Sequence, residues 1–415
     1  MVINLDDLAD PVLTDVQRQI LDYTESRQVV FDVDQMMQEA VAQAGCDDLD
    51  DAGGFDTRLE AHIHAIESDT GLRQLSRSTL RSRVVRLLRN RLSFTDLLKR
   101  YPEITAIEIE RPLIVVGMPR SGTTHLVNLI AQDPRRRALP YWESQEPIPA
   151  RGQGPGVGGA DPRFLRAKAE HDAMMVSTPY VAAMHDQFPE AIEEEVELLD
   201  LDLAGYVLEW HARVPGWRDF YLGLDQYRHY GFLKSVLQAL TFLRGPRTWV
   251  LKSPQHAEQL GPLMATFPDA TVAFTHRDPV AVIRSAATMM AYSDRIRRTS
   301  IDPQWLIDYW SDRIHRLLTA CVRDRELVPA ARSVDIGFHQ LNGNEMPVLE
   351  RLYATAGVDI PDKVAARFRN YIDSNRRGAK GSVPYDLERH FGVTAEELRT
   401  PFAFYFDRFD VRPEV

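Results

Sequence analysis

A loop at residues 117–124 carries side chains that can bind an anion. It reads Gly-Met-Pro-Arg-Ser-Gly-Thr-Thr. Gly117 and Gly122 allow the backbone to approach a ligand closely, and Arg120 supplies positive charge. Hydroxyl donors come from Ser121, Thr123 and Thr124. Glycines, a cation and hydroxyls in one short loop indicate a site for phosphate or a similar oxyanion.

The elements on either side of this loop strengthen that interpretation. The apolar run at 113–116 predicts a buried strand, and residues 125–132 predict a helix. The first N–H groups of a helix have no partner within it, and the helix dipole places partial positive charge there. A strand, a tight loop and a helix N-terminus together form a common phosphate-binding junction.

The spacing of the loop is close to that of the nucleotide-binding P-loop. That motif has two glycines with four residues between them, followed by lysine and then serine or threonine. Here Thr123 stands at the lysine position, and the cation is Arg120. Because the P-loop lysine reaches the terminal phosphates, the chain is poorly equipped for γ-phosphoryl transfer. A P-loop kinase or NTPase and a non-catalytic module that binds an adenosine phosphate remain the alternatives.

Two more cations follow predicted strands. Lys252 comes after a strand at 248–251, and Arg277 comes after a strand at 271–275. Alternating strands and helices favour a mainly parallel sheet, which binds ligands at the carboxyl ends of its strands. We therefore expect Arg120, Lys252 and Arg277 to form one anion site. Further helices are predicted at 14–101 (interrupted near 46–55), 163–176, 190–211, 227–243, 257–267 and 280–290, with a short strand at 333–336.

The stretch from Pro119 to Thr124 resembles the 5′-phosphosulfate loop of sulfotransferases that use 3′-phosphoadenosine 5′-phosphosulfate (PAPS). In that family the loop grips the 5′-phosphate, and its basic residue, matched here by Arg120, lies near the oxygen bridging to the sulfuryl group. A second family motif binds the 3′-phosphate through an arginine and a serine eight residues later. Arg277 and Ser285 have this spacing. A basic glycine-containing loop that closes over the 3′-phosphate has its counterpart in Arg376, Arg377, Gly378 and Lys380.

The resemblance covers about residues 110–390 and is closest to bacterial, particularly actinobacterial, sulfotransferases with a helical amino-terminal extension. It implies an α/β, P-loop-NTPase-like fold with a central, mainly parallel sheet flanked by helices. Residues 1–105 would form the helical extension and 106–415 the sulfotransferase domain, with helical acceptor-binding insertions at about 140–245. PAPS would be the co-substrate and 3′,5′-adenosine bisphosphate (PAP) the product. Animal members often place tryptophan after the second threonine to stack on adenine, where this chain has His125.

Sulfuryl transfer is an in-line displacement, so catalysis depends on positioning and on stabilising charge. By analogy with phosphoryl transfer, Arg120 would neutralise the leaving phosphate and Lys252 the sulfuryl oxygens, with no metal required. The acceptor hydroxyl also needs a base within hydrogen-bond reach. The candidates are His256, Glu194, Glu195 and His185, with Glu143 behind them. Related bacterial members often carry paired acidic residues at the place of Glu194 and Glu195, but the sequence does not choose among these groups.

The residues around the candidate bases give further expectations. Glu193, Glu194 and Glu195 cannot share one helix face, so at most one or two of them should point inward. An apolar acceptor, such as a lipid, quinol, sterol, phenol or polyketide, would suit a pocket of methionine and aromatic side chains, although core packing explains them equally well. These side chains are Met174, Met175, Met184, Phe188, Met289, Met290 and Tyr292.

Composition argues against several classes of protein. The 415 residues carry a net charge of −11, so no basic field attracts nucleic acid. Cys46 and Cys321 give neither a disulfide framework nor metal-ligand spacing. The amino terminus lacks the features of a signal peptide, and no run reaches a membrane-spanning length, so we expect a cytoplasmic protein. The arginine-rich stretch 73–91 predicts an amphipathic helix with a solvated basic face; contact with an anionic lipid surface and homodimerisation stay open.

Overall fold

A parallel sheet organises the part of the chain that the computed structural model describes, residues 5–50, 53–154, 156, 159–185, 187–375, 383 and 385–415. Its strands are β1 Leu113–Gly117, β2 Arg136–Arg137, β3 Thr248–Lys252, β4 Thr271–His276 and β5 Ser333–Gly337. Their order is β2-β3-β1-β4-β5, and every neighbouring pair is parallel. The predicted α/β fold class is thereby confirmed.

Helices surround this sheet on both faces. They are α1 Asp15–Glu25, α2 Val33–Ala44, α3 Phe55–Ser68, α4 Gln74–Arg100, α5 Thr123–Ile130, α6 Tyr141–Gln145, α7 Pro162–Ser177, α8 Val181–Met184, α9 Val196–Leu199, α10 Pro215–Leu222, α11 Gln226–Arg244, α12 Leu260–Thr266, α13 Pro279–Arg297, α14 Pro303–Asp324, α15 Glu345–Ala356, α16 Asp362–Ser374, α17 Leu387–Phe391, α18 Ala395–Arg399 and α19 Ala403–Arg408. Short 3₁₀ turns connect several of them.

Strand β1 explains why the sheet lies in the middle of three layers. All five of its residues are buried, as expected of a parallel strand that is covered on both faces. Ile114 and Val116 pack into the cluster built from α11 to α14, whereas Leu113 and Val115 pack against α5, α15 and α16. Because alternate side chains point to opposite faces, one short apolar run serves two cores.

The carboxyl ends of β1, β3 and β4 meet at one edge of the sheet. The register pairs Gly117 with Thr275 and Val115 with Lys252, so the strands end side by side. The loop before α5, the turn after Lys252 and the residues after His276 therefore share this edge. The topology thus brings the three predicted cations to the place where open parallel sheets bind ligands.

The arginine-rich stretch 73–91 was predicted to present a solvated basic face, but two of its arginines are buried in ion pairs. Arg83 on α4 is buried and lies 2.8 Å from Glu197 and 2.7 Å from Asp200. Arg91 likewise lies 2.6 Å from the buried Asp202. These arginines neutralise carboxylates in the segment that follows the glutamate triplet. The extension thus fixes one wall of the candidate site.

Residues 190–211 also differ from their prediction as one helix. They contain only the short helix α9, followed by 3₁₀ turns at Asp200–Asp202 and Val207–Trp210. Leu203 has φ +49°, a left-handed conformation that an α-helix cannot include. Glu193 to Glu195 precede α9, which begins at Val196, so they are not spread around one helix and all three can turn inward.

Candidate active site

Gly117 and Ser121 shape the phosphate loop. A Cβ atom on Gly117 would lie 2.1 Å from Thr275 Oγ1 and 2.7 Å from the Thr275 carbonyl oxygen, so only glycine fits. The buried Ser121 hydroxyl donates to the Met118 carbonyl at 2.6 Å and lies 2.7 Å from Thr275 Oγ1. This hydroxyl holds the loop against β4.

The amino terminus of α5 supplies the anion donors. Gly122 is its N-cap residue, has φ +91° and is followed by the buried Thr123 and the exposed Thr124. No side chain caps this terminus among the described residues, so its first N–H groups are available. The amides and the Thr124 hydroxyl therefore fit a phosphate group.

Arg120 connects the phosphate loop to the second predicted motif. It has φ +66°, an uncommon conformation for a side chain with Cβ. Its Nε donates to Ser285 Oγ at 3.0 Å, its guanidinium also contacts the Met184 carbonyl, and its own carbonyl accepts from Arg277 Nη1 at 2.6 Å. The structure thus brings Arg120, Arg277 and Ser285 together, although they lie far apart in sequence.

Arg277 is held by a carboxylate that the sequence analysis did not identify. Its Nε and Nη2 donate to the two Glu414 carboxylate oxygens, each at 2.8 Å, and its guanidinium lies 3.9 Å from the centre of the Phe338 ring. The Glu414 amide donates to Asp278 Oδ2 at 2.9 Å. A bidentate carboxylate therefore occupies the guanidinium fork with the geometry that a phosphate would use.

Lys252 lies between the phosphate loop and the glutamate triplet. Its Nζ donates to Glu194 Oε1 at 2.7 Å and lies 3.4 Å from Thr124 Oγ1. The side chain has 0% exposure, so this cation is shielded from bulk water. A desolvated cation acts more strongly on nearby charge than an exposed one.

Glu195 and His256 form a buried pair behind Lys252. Glu195 Oε1 lies 2.6 Å from His256 Nε2, and Glu195 Oε2 accepts from the Lys252 amide at 2.7 Å. The Tyr230 hydroxyl lies 2.7 Å from the other ring nitrogen of His256. Their side chains are 1% and 0% exposed, and the Glu195 carboxylate holds the Lys252 amide, so this arrangement suits positioning of Lys252.

His185, Glu193 and Glu194 form the second polar group at the site. His185 Nε2 lies 3.1 Å from Glu193 Oε2, and Glu193 Oε1 accepts from the Glu194 amide at 2.9 Å. Burial acts to lower the pKa of His185, but the Glu193 carboxylate more than offsets it and leaves that pKa raised. Burial raises the pKa of Glu194, although the Lys252 cation opposes the rise. All three residues line one cavity.

This cavity runs from the phosphate loop along α13. It contains about 1020 Å³ of empty space, open solvent included, and begins at Pro119, Arg120, Thr123 and Thr124. Apolar side chains make up the larger part of its wall area. They include Met174, Val181, Tyr206, Val207, Trp210, Met289 and Met290. Of the other predicted pocket residues, Met184 and Tyr292 are buried in the core, whereas Met175 and Phe188 are exposed.

His125 lies beside the phosphate loop and not within the cavity lining. Its Nε2 is 3.4 Å from Glu345 Oε1, and its ring centre is 6.0 Å from that of Tyr371. Burial lowers the pKa of His125, and the Glu345 carboxylate opposes this effect.

The predicted 3′-phosphate loop residues Arg376, Arg377, Gly378 and Lys380 lie outside the described residues. Glu143 is ion-paired with Arg137 and does not line the cavity.

A parallel sheet with a loop and a helix N-terminus at its carboxyl edge is typical of proteins that bind phosphate or sulfate esters. A model described as "Sulfotransferase family" matches residues 112–362, so the chain belongs to the sulfotransferase family. It is an enzyme of the transferase class. No curated protein sequence matches the chain significantly.

Two solved structures share the fold over nearly the whole chain. The crystal structure of the sulfotransferase STF1 from Mycobacterium tuberculosis H37Rv has 25% identity and a TM-score of 0.78, and the match covers 91% of this chain and 100% of that one. The sulfotransferase STF9 from Mycobacterium avium has 24% identity and a TM-score of 0.81, covering 93% and 98% respectively. Their coverage includes the helical extension as well as the sheet.

Within the described ranges, no helix is long and apolar enough to cross a membrane. The same residues contain no group of three or more histidine, cysteine, aspartate or glutamate side chains arranged to hold a metal ion. Cys46 and Cys321 both carry free thiols.

Proposed function

We propose that this sulfotransferase moves a sulfuryl group from PAPS to a hydroxyl of a small, largely apolar acceptor. One observation carries the proposal: a phosphate-binding loop, a buried lysine and a carboxylate meet at the end of one apolar cavity. Thr124, Lys252 and Glu194 form that junction through contacts of 3.4 and 2.7 Å. The arrangement suits in-line transfer because Thr124 on the donor side and Glu194 on the acceptor side both line the cavity and both contact Lys252.

The available donors fit PAPS, which supplies the activated sulfuryl group when it is bound. The α5 amides and Thr124 would hold the 5′-phosphate, with Arg120 near the oxygen that leaves. Arg277 and Ser285 would hold the 3′-phosphate, and His125, where animal members carry the tryptophan that stacks on adenine, would lie on the adenine side of the loop. Lys252 would stabilise the charge that develops on the sulfuryl oxygens.

The division of the chain follows from the same proposal. Residues 1–105 would form an extension packed on a sulfotransferase domain at 106–415. Insertions at about 140–245 would bind the acceptor, and Met174, Tyr206 and Trp210 already contribute to the cavity walls. The extension supports those insertions through α4 and its buried arginines.

Glu194 is the base that we propose for the acceptor hydroxyl. Its carboxylate faces the cavity and touches Lys252 Nζ, so a hydroxyl bonded to it lies beside the transferring group. Because burial raises the pKa of Glu194, we expect kcat/KM to fall as pH decreases through that raised pKa. Glu194→Gln should lower kcat by about 10²–10⁴-fold and remove this acidic limb. The pH profiles of Glu194→Gln and His185→Gln show which residue is the base. If the decrease of kcat/KM at low pH is lost only in His185→Gln, the base is His185.

Titration with PAP tests the donor site, using two substitutions with opposite expected effects. Arg277→Ala should weaken PAP binding by about 10–100-fold, because it removes a charge-assisted phosphate contact. Glu414→Gln should strengthen binding, since the Glu414 carboxylate competes for the same guanidinium. Isothermal titration calorimetry with PAP, ATP and AMP measures all three proteins.

The outcomes of that titration separate the alternatives. PAP binding that depends on Arg277 and exceeds ATP binding supports PAPS as the donor. ATP binding that equals or exceeds PAP binding and is unchanged in Arg277→Ala would overturn the proposal and favour a kinase.

A further inference from the structure

The cavity has a cationic end far from the phosphate loop. Arg297 lines this end and is the last residue of α13. Ser285, twelve residues earlier on the same helix, contacts Arg120 at 3.0 Å. At 1.5 Å per residue, these positions are about 18 Å apart along the helix axis. Met289, Met290 and Ser293 line the cavity between them.

Arg297 has more hydrogen-bond donors than its described partners use. A guanidinium has five N–H donors, and one of them, on Nη1, donates to the Trp210 carbonyl at 2.9 Å. Arg297 forms no ion pair with any described carboxylate. Burial lowers the pKa of Arg297, and Asp294 is the acid that opposes this effect. Such a guanidinium is costly to desolvate unless a ligand pairs with it.

The groups next to Arg297 also favour an anion. His211 lines the same end, and burial lowers its pKa well below the ordinary value, with Arg297 and Arg83 adding to the shift. The ring is therefore neutral at pH 7, and no described hydrogen bond uses its side chain. It can donate one hydrogen bond to a ligand without adding charge.

The carboxylates of the cavity would orient an anionic acceptor. Glu193 and Glu194 lie at the transfer end, where they repel an anion. Glu197 also lines the cavity, but its charge is paired with Arg83 at 2.8 Å. An anionic group would therefore enter the Arg297 end, leaving a hydroxyl at the other end of the molecule beside Lys252.

We propose that Arg297 binds a carboxylate on the acceptor, and that the acceptors are apolar acids with a hydroxyl remote from the acid group. This inference rests on the proposed function, because it names the substrate class of the same cavity. A planar guanidinium matches a carboxylate in two parallel hydrogen bonds. The apolar walls bind the chain between the two polar ends.

Equilibrium binding with matched probes tests the inference without turnover. The probes are 12-hydroxydodecanoate and its methyl ester, titrated calorimetrically into the PAP-saturated protein. We expect the wild-type protein to bind the acid at least about tenfold more tightly, as a charge-assisted hydrogen bond implies. Arg297→Met and Arg297→Gln should abolish this preference while changing binding of the ester by less than about twofold. Arg323→Met, at an exposed position on α14, is the matched control and should leave the preference intact.

Several results would overturn the proposed carboxylate site at Arg297. Equal binding of acid and ester, failure of the acid to bind at submillimolar concentration, or a preference that survives Arg297→Met overturns the inference. Equal weakening of both probes in Arg297→Met and Arg297→Gln would show a merely structural role and also overturns it. Tighter binding of dodecyl sulfate than of the acid would overturn the choice of a carboxylate. Loss of PAP binding is scored separately by the Arg277→Ala titration, so failure of the donor proposal is distinguishable from failure at Arg297.

Discussion

Replacement of Lys252 by alanine is expected to lower the rate of sulfuryl transfer by about 10²–10³-fold. Its Nζ is the buried cation between Thr124 and Glu194, the point where transferring oxygens would gain charge. The residues proposed to bind the 3′-phosphate, Arg277 and Ser285, do not contact Lys252, so PAP affinity should change by less than about threefold. A loss confined to kcat would mark an interaction made mainly in the transition state.

Release of PAP from PAPS, followed with a panel of phenols and long-chain alcohols, measures this effect. Lys363→Ala removes an exposed lysine on α16 and should retain full activity. Removing Lys252 also removes the cation that holds down the pKa of Glu194, so the acidic limb of any residual activity should move to higher pH. Unchanged kcat in Lys252→Ala would exclude the role that we assign to this residue.

The sheet and the phosphate loop could be predicted because their signals are local. Strands β1 and β4 are short, mainly apolar runs buried on both faces; β1 ends at Gly117, and Arg277 directly follows β4. The topology rule for parallel sheets then places Arg120, Lys252 and Arg277 at one edge without knowledge of any contact. The geometry at that edge follows this rule.

The partners of individual charged groups could not be predicted, because they come from distant parts of the chain. Arg83 pairs with carboxylates 114 and 117 residues away, and Arg277 pairs with Glu414, 137 residues away. Helical periodicity alone therefore suggested solvated arginines on α4. The inward direction of Glu193, Glu194 and Glu195 was missed because α9 begins only at Val196, so the triplet lies ahead of the helix that would have spread its side chains.

Replacement of Arg313 by leucine is expected to reduce the free energy of unfolding by about 3–5 kcal/mol. Arg313 on α14 is 1% exposed and binds two buried carboxylates. Its Nε lies 3.0 Å from Glu209 Oε2, and its Nη2 lies 2.6 Å from Glu258 Oε1. Leucine would leave both carboxylates without their cation.

The ion pairs of Arg313 with Glu209 and Glu258 also support the candidate active site. Glu258 ends the 3₁₀ turn Pro254–Glu258 that contains His256, and Glu209 precedes Trp210 in the cavity wall. Arg313→Leu should therefore loosen the support of Lys252 as well as the core. Urea denaturation measures the change, and Arg316→Leu is the control on the same helix. Arg316 is half-exposed and pairs with Asp312 at 2.8 Å, so its loss should cost at most about 1 kcal/mol.

The pH dependence of the Arg313→Leu defect gives the sharper test. Burial already raises the pKa of Glu209 despite the opposing Arg313 cation, and without that cation the pKa should rise further. A folded-state pKa above the unfolded value stabilises the protein at low pH, and this stability is lost as pH increases through the folded-state pKa. The defect should therefore be smallest near the ordinary glutamate pKa and grow toward neutral pH. Glu209→Gln and Glu258→Gln added to Arg313→Leu should recover part of the loss at neutral pH, whereas a defect independent of pH would assign the cost to packing rather than to stranded charge.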